Sequence, residues 1–274
     1  MAGSKTHKRQ NKYFSNTIVF FIILLISFII LATSMILIRG VPNLWESLLI
    51  KEIQFAIKLS LYTSLISTFY CIVFSIPISY GLARFSFIGK SIVNTIMDIP
   101  MALPPIVSGV ALLILFGNTA FGHQLADHGL KFVFTVKGII LAQFFVNVPY
   151  IIRIMKSTFH DIDPRLEFVS RTLGYNRLKT FFKVTLPLAK NGLIAGIVIT
   201  WARALGEFGA ALMLAGATRM KTETLPISLF LNMSCGDLKL GLASATIIIM
   251  ISIVSLLIFE LLGGKQYVIS KEAE

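Results

Sequence analysis

The stretch Arg165–Pro187 reads RLEFVSRTLGYNRLKTFFKVTLP, and it decides how the rest of the chain is interpreted. It is polar and strongly basic, yet apolar runs long enough to cross a membrane lie on both sides of it. A membrane protein has no packing reason to carry short helical patterns in a loop of this kind. We therefore interpret the stretch as a docking surface for a soluble partner.

Two capped helices are predicted within this loop. The first begins at Asp163-Pro164, with Asp as the N-cap and Pro at the first helical position. It ends at Gly174, because glycine adopts a left-handed cap most easily. The second helix begins after Asn176 and is expected to stop before Pro187.

The composition places the chain among multi-pass membrane proteins. Of its 274 residues, 55% are hydrophobic and only 14% are charged, and the mean hydropathy is +0.81. The net charge of +12 is better explained by the excess of Lys and Arg on the inside of a membrane than by nucleic-acid binding. The first apolar run is too long for a cleavable signal peptide, so we expect it to remain as a first span.

Six apolar runs are each about long enough to span a bilayer. The second is expected to break near Pro77, and three prolines interrupt the third. The third to fifth runs contain polar groups, which predicts that other protein shields them from lipid. The runs are Thr17–Ile38, Phe55–Leu82, Ser91–Phe116, Gly138–Met155, Gly192–Ala215 and Leu240–Leu262.

Orientation follows from the distribution of Lys and Arg. With both termini inside, the inside segments hold 16 of these residues and the outside segments hold 8. This ratio predicts an N-in, C-in topology with the 165–187 stretch in the cytoplasm. The longest outside loop, at 117–137, leaves no room for a separate soluble domain.

No nucleotide-binding, metal or disulfide site is predicted. Gly89-Lys90-Ser91 has the ending of a phosphate-binding loop, but Arg84 stands where that loop needs a glycine. If the chain serves a pump, another subunit must hydrolyse ATP. The outside loop has two histidines and an aspartate without a third firm ligand, and the two cysteines have no reason to meet. These residues are His123, Asp127, His128, Cys71 and Cys235.

The 165–187 stretch resembles the EAA loop of permeases from binding-protein-dependent ABC importers. Gly174, Val184, Leu186 and Pro187 fall on the later positions of that motif, whereas Phe168-Val169-Ser170 stands at its Glu-Ala-Ala positions. The closer resemblance is to the variant found in molybdate, tungstate and sulfate permeases. The segments that carry it are Arg165-Leu166-Glu167, Arg171-Thr172-Leu173-Gly174 and Phe181-Phe182-Lys183-Val184-Thr185-Leu186-Pro187-Leu188.

Two further segments resemble the same oxyanion branch. The fifth run contains WARALGEFGA at 201–210, and the third contains Asp98-Ile99-Pro100 followed by LPPIVSG at 103–109. The resemblance covers roughly residues 50–262. It implies an all-α membrane protein with about six transmembrane helices and the type I ABC importer permease fold.

The resemblance also implies a domain organisation. A basic cytoplasmic N-terminus (1–16) and a first transmembrane helix (17–38) would precede the permease domain (50–262). That domain would include the cytoplasmic coupling loop (156–190), and a cytoplasmic tail (263–274) would follow.

The resemblance implies an assembly in the cell membrane. Two copies of the chain would form one pathway and couple to a cytoplasmic ABC ATPase, with an extracellular or periplasmic binding protein delivering the anion. No cofactor and no nucleic acid are expected, and the anion is expected to be molybdate or tungstate. The ATPase-coupling residues would be Arg165, Leu166, Glu167, Phe168, Arg171, Gly174 and Pro187.

Other functions remain open at this stage. A sulfate or thiosulfate permease is the nearest alternative, because sulfate and molybdate share charge and shape. An ion-coupled secondary carrier predicts an internal repeat and a midplane ion site, and neither is visible in the sequence. A membrane enzyme would need a catalytic constellation, which is also not visible.

Three charged residues within the apolar runs are candidate pathway groups. Arg203 and Glu207 stand four residues apart in the fifth run, where an unpaired charge costs at least about 2.5–3.5 kcal/mol. We expect them to form a pair that locks the helix to its neighbours. The alternatives are that Arg203 supplies positive potential to an anion pathway, or that the pair gates it. Asp98 is interpreted as a packing or capping group, or as a pathway residue.

Overall fold

The computed structural model describes the backbone of residues 2–263 and the side chains of residues 16–257. All regular structure in this part of the chain is helical. The predicted cytoplasmic tail (263–274) lies outside the described residues beyond residue 263. The helices are α1 (Ala2–Gly40), α2 (Leu44–Leu48), α3 (Lys51–Arg84), α4 (Lys90–Ala102), α5 (Pro105–Gly117), α6 (Ala120–Asp127), α7 (Val136–Asp161), α8 (Pro164–Thr172), α9 (Arg177–Thr180), α10 (Leu186–Leu188), α11 (Lys190–Leu205), α12 (Gly209–Ala215), α13 (Leu225–Ser234) and α14 (Leu238–Gly263).

Four helical segments of the described chain are long and apolar enough to cross a membrane by themselves. They are Asn16–Leu48, α3, α7 and α14. Two further spans arise if each of two bent helix pairs is taken as one crossing. In one pair α4 and α5 meet at 108°, and in the other the segment Arg177–Leu188 meets α11 at 71°. The count of up to six spans equals the number of apolar runs, but the second bent pair begins at Arg177, before the fifth run.

Prolines act differently in the second and third runs. The third run breaks between α4 and α5, where Pro104 is the N-cap and Pro105 the first residue of α5, as expected for residues that cannot donate to the preceding turn. The break predicted near Pro77 is wrong, because α3 continues through it to Arg84. Neighbouring helices and local hydroxyls can satisfy the backbone that a proline frees in a span.

The fifth run, expected as one helix, is divided. Helix α11 ends at Leu205 with Gly206 as its C-cap, and α12 begins at Gly209. The glycines explain the break, since glycine loses more backbone freedom than any other residue in a helix interior.

Helices α3 and α7 form the centre of the bundle. A row of small polar residues on α3 is buried and allows a close approach to its neighbours. Helix α11 packs against both α3 and α7, α12 packs against α5 and α7, and α14 packs against α11 and α13. The row consists of Ser60, Thr63, Ser64, Ser67, Thr68, Ser75 and Ser79.

Helix α1 lies at the periphery of the bundle. Its apolar side chains from Ile18 to Leu31 are exposed, as expected for a helix that faces lipid. It meets the bundle at its end, where Gly40 packs against Thr246 of α14.

The two motifs at 103–109 and 201–210 meet where α5 crosses α12. A methyl group on Gly109 would lie 2.7 Å from the Ala210 Cα and 2.7 Å from the Met213 Cβ. A methyl group on Gly209 would lie 3.1 Å from the Ile106 backbone nitrogen. Only glycine allows the two helices to approach this closely.

We expect Gly109→Ala to lower the free energy of unfolding by about 1–3 kcal/mol, because the added methyl group overpacks the α5–α12 contact. Gly117→Ala on the same helix is the matched control. Its methyl group would meet Val133 and Leu113 at ordinary distances of 3.5 and 3.7 Å. Thermal unfolding of the detergent-solubilised variants measures the difference. Equal stability of the two variants would contradict the close contact.

Candidate functional site

The first helix of the 165–187 stretch is α8, and both of its predicted caps are confirmed. The Asp163 carboxylate accepts a hydrogen bond of 2.9 Å from the Arg165 backbone N–H, and Pro164 is the first helical residue. After α8, Gly174 has a φ of +92°, so the left-handed turn needs glycine. The Tyr175 N–H then donates to the Ser170 carbonyl across this turn.

The second helix begins as predicted but ends later. The Asn176 side chain accepts a hydrogen bond of 2.8 Å from the Lys179 N–H, which confirms its role as N-cap. The expected stop before Pro187 is wrong, because helical structure continues to Leu188 through a π-helical turn at Phe181–Thr185. In a π turn the hydrogen bonds reach one residue further back, which changes the backbone geometry just before the proline.

Glu167 ties α8 to the end of α3. Its carboxylate accepts hydrogen bonds from the Arg84 Nε at 2.8 Å, the Tyr80 hydroxyl at 3.0 Å and the Thr185 hydroxyl at 3.1 Å. Arg84 also donates to the Ile162 carbonyl at 2.9 Å. The Arg84 and Glu167 side chains are only 10% and 12% exposed, so water competes weakly for this charge-assisted pair.

A second polar contact joins the two short helices of the stretch. The Ser170 and Thr180 hydroxyls, both buried, share a hydrogen bond of 2.7 Å. Together with the Glu167 contacts, it makes the stretch a compact unit attached to the end of α3.

The outer face of this unit is apolar and basic. Most of the predicted coupling residues are exposed, including Gly174 and Pro187, while Glu167 and Arg171 are half-buried. The Arg171 guanidinium lies 4.5 Å from the centre of the Phe168 ring. The large exposed apolar residues are Leu166, Phe168, Val169, Leu173, Tyr175, Leu178, Phe182 and Leu188.

A pocket of about 480 Å³ lies beside α8. The sequence interpretation missed five residues of this region as site residues. They are the exposed apolar residues Leu173 and Leu178 and the Glu167 partners Tyr80, Arg84 and Thr185. The sequence carries a weak signal for Arg84 only, as a basic residue at the end of a span.

Arg203 and Glu207 do not form the expected ion pair. The Arg203 guanidinium lies 3.7 Å from the centre of the Tyr150 ring, while the buried Glu207 carboxylate accepts a hydrogen bond of 2.9 Å from the Ala210 N–H. The two ion pairs found among residues 16–257 involve other side chains. The reason is the helix break, since Glu207 lies beyond the end of α11 and is no longer one turn from Arg203.

Asp98 does not cap a helix. It lies inside α4, half-buried, four residues before the helix ends at Ala102. The N-cap position of α5 belongs to Pro104. In the part of the chain that the structure describes, Asp98 makes no hydrogen bond or ion pair.

Polar side chains also join α3, α7 and α11 in the interior. The Gln143 side chain donates to the Ala204 carbonyl at 2.8 Å and to the Thr63 hydroxyl at 3.3 Å. The Trp201 indole N–H donates to the Ser64 hydroxyl at 3.0 Å. These bonds hold the end of α11, and therefore Arg203, in a defined position against the central helices.

A family model describes the greater part of the chain. Residues 72–264 match the family described as binding-protein-dependent transport system inner membrane component. This range includes α7, α8, the π turn, α11 and α12, which carry most of the candidate site residues.

Curated relatives cover most of the chain at 32–35% identity. The molybdenum transport system permease protein ModB of Escherichia coli K12 is 35% identical, over 76% of this chain and 92% of its own length. The "Probable transport system permease protein NifC" of Clostridium pasteurianum is 33% identical, over 89% and 85%. The sulfate transport system permease protein CysT of Escherichia coli K12 is 32% identical, over 79% and 78%.

Solved ABC importers have the same fold. A bacterial ABC transporter that imports the polysaccharide alginate matches with a TM-score of 0.63 at 17% identity, over 80% of each chain. An inward-facing methionine ABC transporter matches with a TM-score of 0.57 at 18% identity, over 82% of this chain and 95% of its own. At these identities the likeness shows the fold alone.

The chain thus has the fold of a type I ABC importer permease and is a multi-pass protein of the cell membrane. It is a transport subunit, and ATP hydrolysis belongs to a separate subunit of such systems. The matched range, the relatives and the fold agree, and this protein belongs to the family of binding-protein-dependent transport system inner membrane components.

Proposed function

We propose that this chain is the permease subunit of an ABC importer for a tetrahedral oxyanion, with molybdate or tungstate as its substrate. The observation that carries the proposal is that relatives covering three quarters or more of the chain are named for molybdenum and sulfate transport. Sulfate or thiosulfate is the alternative substrate, supported by the sulfate permeases at 32–33% identity. All these anions have the same tetrahedral shape, and molybdate, tungstate and sulfate differ mainly in size.

The 163–188 segment is proposed as the docking surface for the cytoplasmic ATPase. Its exposed apolar side chains surround basic ones, a composition suited to burial against a soluble partner. The Glu167 contacts with Tyr80, Arg84 and Thr185 attach the segment to the end of α3. A displacement of the docked segment would therefore move the central span instead of a free loop.

The remaining parts of the assembly follow from this role. We propose that two copies of the chain form one pathway around a two-fold axis. Both termini and the 163–188 segment would lie in the cytoplasm, as the distribution of Lys and Arg favours. A binding protein outside the membrane would deliver the anion and supply the selectivity.

Arg203 is proposed to line the anion pathway. It is exposed in the single chain, although the predicted fifth span contains it. A charge at that depth is expected to face a water-filled cavity or another subunit and not lipid. Its guanidinium lies on the Tyr150 ring and forms no ion pair with Glu207, which attracts it only through space, so part of its positive potential remains available to an anion.

Transport by the reconstituted system tests the function. We expect proteoliposomes with permease, ATPase, ATP and loaded binding protein to accumulate molybdate or tungstate, and permease alone to show no specific uptake. Uptake of radiolabelled molybdate, tungstate and sulfate is the measurement. Preferential uptake of sulfate would select the alternative substrate. Gradient-driven accumulation by the permease alone would support a secondary carrier and contradict the proposal.

We expect Leu178→Asp to reduce ATPase binding by at least about tenfold, because it places a charge in the apolar docking surface, where this side chain is 70% exposed. The test adds purified ATPase to membrane vesicles that contain the permease. Inverted vesicles should bind it, and right-side-out vesicles should not. Leu130→Asp, at an exposed position in the loop before α7, is the control and should bind normally. ATPase binding to right-side-out vesicles would overturn the topology.

We expect Arg203→Gln to lower the uptake rate about tenfold while costing at most about 1 kcal/mol of stability, the value of an exposed cation–π contact. Glu207→Ala should instead lower the free energy of unfolding by about 1–2 kcal/mol, since the Ala210 N–H loses its buried acceptor. The two side chains form no ion pair, but their charges still attract each other through space, so the double variant should lose slightly less stability than the sum of the single losses. Normal uptake by Arg203→Gln would rule out a pathway role.

A further inference from the structure

A second pocket, of about 410 Å³, is lined almost entirely by basic and small side chains. It lies between the end of α3, the start of α4 and the last turns of α7. No carboxylate is among its lining residues. The lining consists of Leu82, Ala83, Lys90, Arg153, Lys156, Ser157 and His160.

The cations of this pocket are not neutralised by acids. The Lys156 ammonium donates to the Asn94 side-chain oxygen at 2.8 Å, and the Lys90 ammonium donates to the Phe85 carbonyl at 2.9 Å. Both acceptors are uncharged. The ion pairs among the described side chains, Arg84–Glu167 and Arg219–Glu223, include none of the pocket's cations.

The pocket lies at the membrane surface that carries the docking segment. Helix α7 has 26 residues and is about 39 Å long, which exceeds the roughly 30 Å hydrocarbon core. Its last turns therefore reach the interface, and the chain leads from them directly into α8. The pocket shares Ala83 and His160 with the pocket beside α8.

One face of α7 connects this pocket with Arg203. Tyr150, Arg153, Ser157 and His160 recur every three or four residues and so lie along one face of α7. The Arg203 guanidinium lies on the Tyr150 ring, one turn from Arg153. The row extends for about 15 Å along the helix, from within the span to its end.

We propose that this pocket binds a tetrahedral oxyanion, and that in the working importer this is the transported anion on its way to the cytoplasm. The proposal rests on the function proposed above and assigns residues to its last step. A guanidinium, two ammonium groups and a hydroxyl offer the donors that a doubly charged tetrahedral anion needs. Because the pocket is open to solvent, salt screens it, and the weak binding that results suits a site of release.

Direct binding to the full-length permease in nanodiscs of phosphatidylcholine tests the proposal. Radiolabelled molybdate and, separately, sulfate are measured by equilibrium dialysis without binding protein or ATPase. We expect the double substitution Arg153→Gln and Lys156→Gln to weaken binding of the transported anion by at least about tenfold, since two cations within a few ångströms of a dianion are removed. Rising ionic strength should weaken binding to the unaltered protein.

Two further variants separate charge from folding. Lys137→Gln removes a cation at the opposite end of α7, where it donates to the Gly129 carbonyl, and should leave anion binding unchanged. Lys156→Arg keeps the charge and should retain binding. Equal anion affinity of the double variant and the unaltered chain would overturn the proposal.

A phospholipid headgroup also presents anionic phosphate oxygens, so a second experiment distinguishes bound lipid from bound free anion. The same proteins are purified from membranes that contain phosphatidylglycerol, and the retained phospholipid is measured. Retention that depends on Arg153 and Lys156, with no binding of free anion, would assign the pocket to lipid and overturn the proposal. Failure of the proposed function has a different result, because the unaltered importer itself would then transport none of the oxyanions.

Discussion

A span in a bilayer must satisfy its own backbone hydrogen bonds, and the architecture of this protein depends on how it does so. Most of the described chain meets the constraint with continuous helices. Two runs are interrupted, at Leu103-Pro104 and at Gly206–Phe208, and the helices that follow the two interruptions pack on each other. Gly109 and Gly209 allow this contact at backbone distance. The irregular backbone is thus packed against protein, where other polar groups can form hydrogen bonds with it. The Glu207 carboxylate, for example, accepts a hydrogen bond from the Ala210 N–H.

The Glu167 carboxylate connects the docking segment to the helix bundle. It collects donors from α3 and from the turn before α10, and so makes the docking segment part of the bundle. Removing one member of such a largely desolvated network leaves the others without a partner, which is why these residues act as a unit. In the proposed assembly, the partner's movement reaches the central span through this contact.

Positive charge is distributed in two ways along the half of the molecule that contains the docking segment. Arg171 and the exposed cations of the docking segment lie on its outer surface, whereas Arg153 and Lys156 lie on α7 and Arg203 of α11 lies against the Tyr150 ring of that helix. In the proposed function, the first set would contact the soluble partner and the second would bind the small anion. None of the second set forms an ion pair in the described part of the chain, so its potential is only partly compensated, which matters more for release and steering than for tight binding.

Local signals in the sequence were sufficient for much of this structure. The apolar runs predict the spans, because about 20 apolar residues are needed to cross the hydrocarbon. The caps at Asp163, Gly174 and Asn176 are correct because a cap involves residues within a few positions of one another. The interruption in the third run follows from Pro104 and Pro105, whereas the interruption expected at Pro100 is wrong, because Pro100 lies inside α4. The family resemblance also came from motifs that can be read along the chain.

Contacts between distant residues needed the tertiary structure. The sequence places Arg203 and Glu207 four residues apart and suggests a pair, but the helix ends between them and each finds another partner, Tyr150 or Ala210. The Arg84–Glu167 pair joins residues 83 positions apart, and the basic pocket combines Lys90 with Arg153 and Lys156. The sequence by itself determined where the apolar runs and the helix caps at Asp163, Gly174 and Asn176 lie, since those depend on neighbouring residues. Only the packing of α3, α4, α7 and α11 decided which charges meet, because that depends on how separate helices approach one another in space.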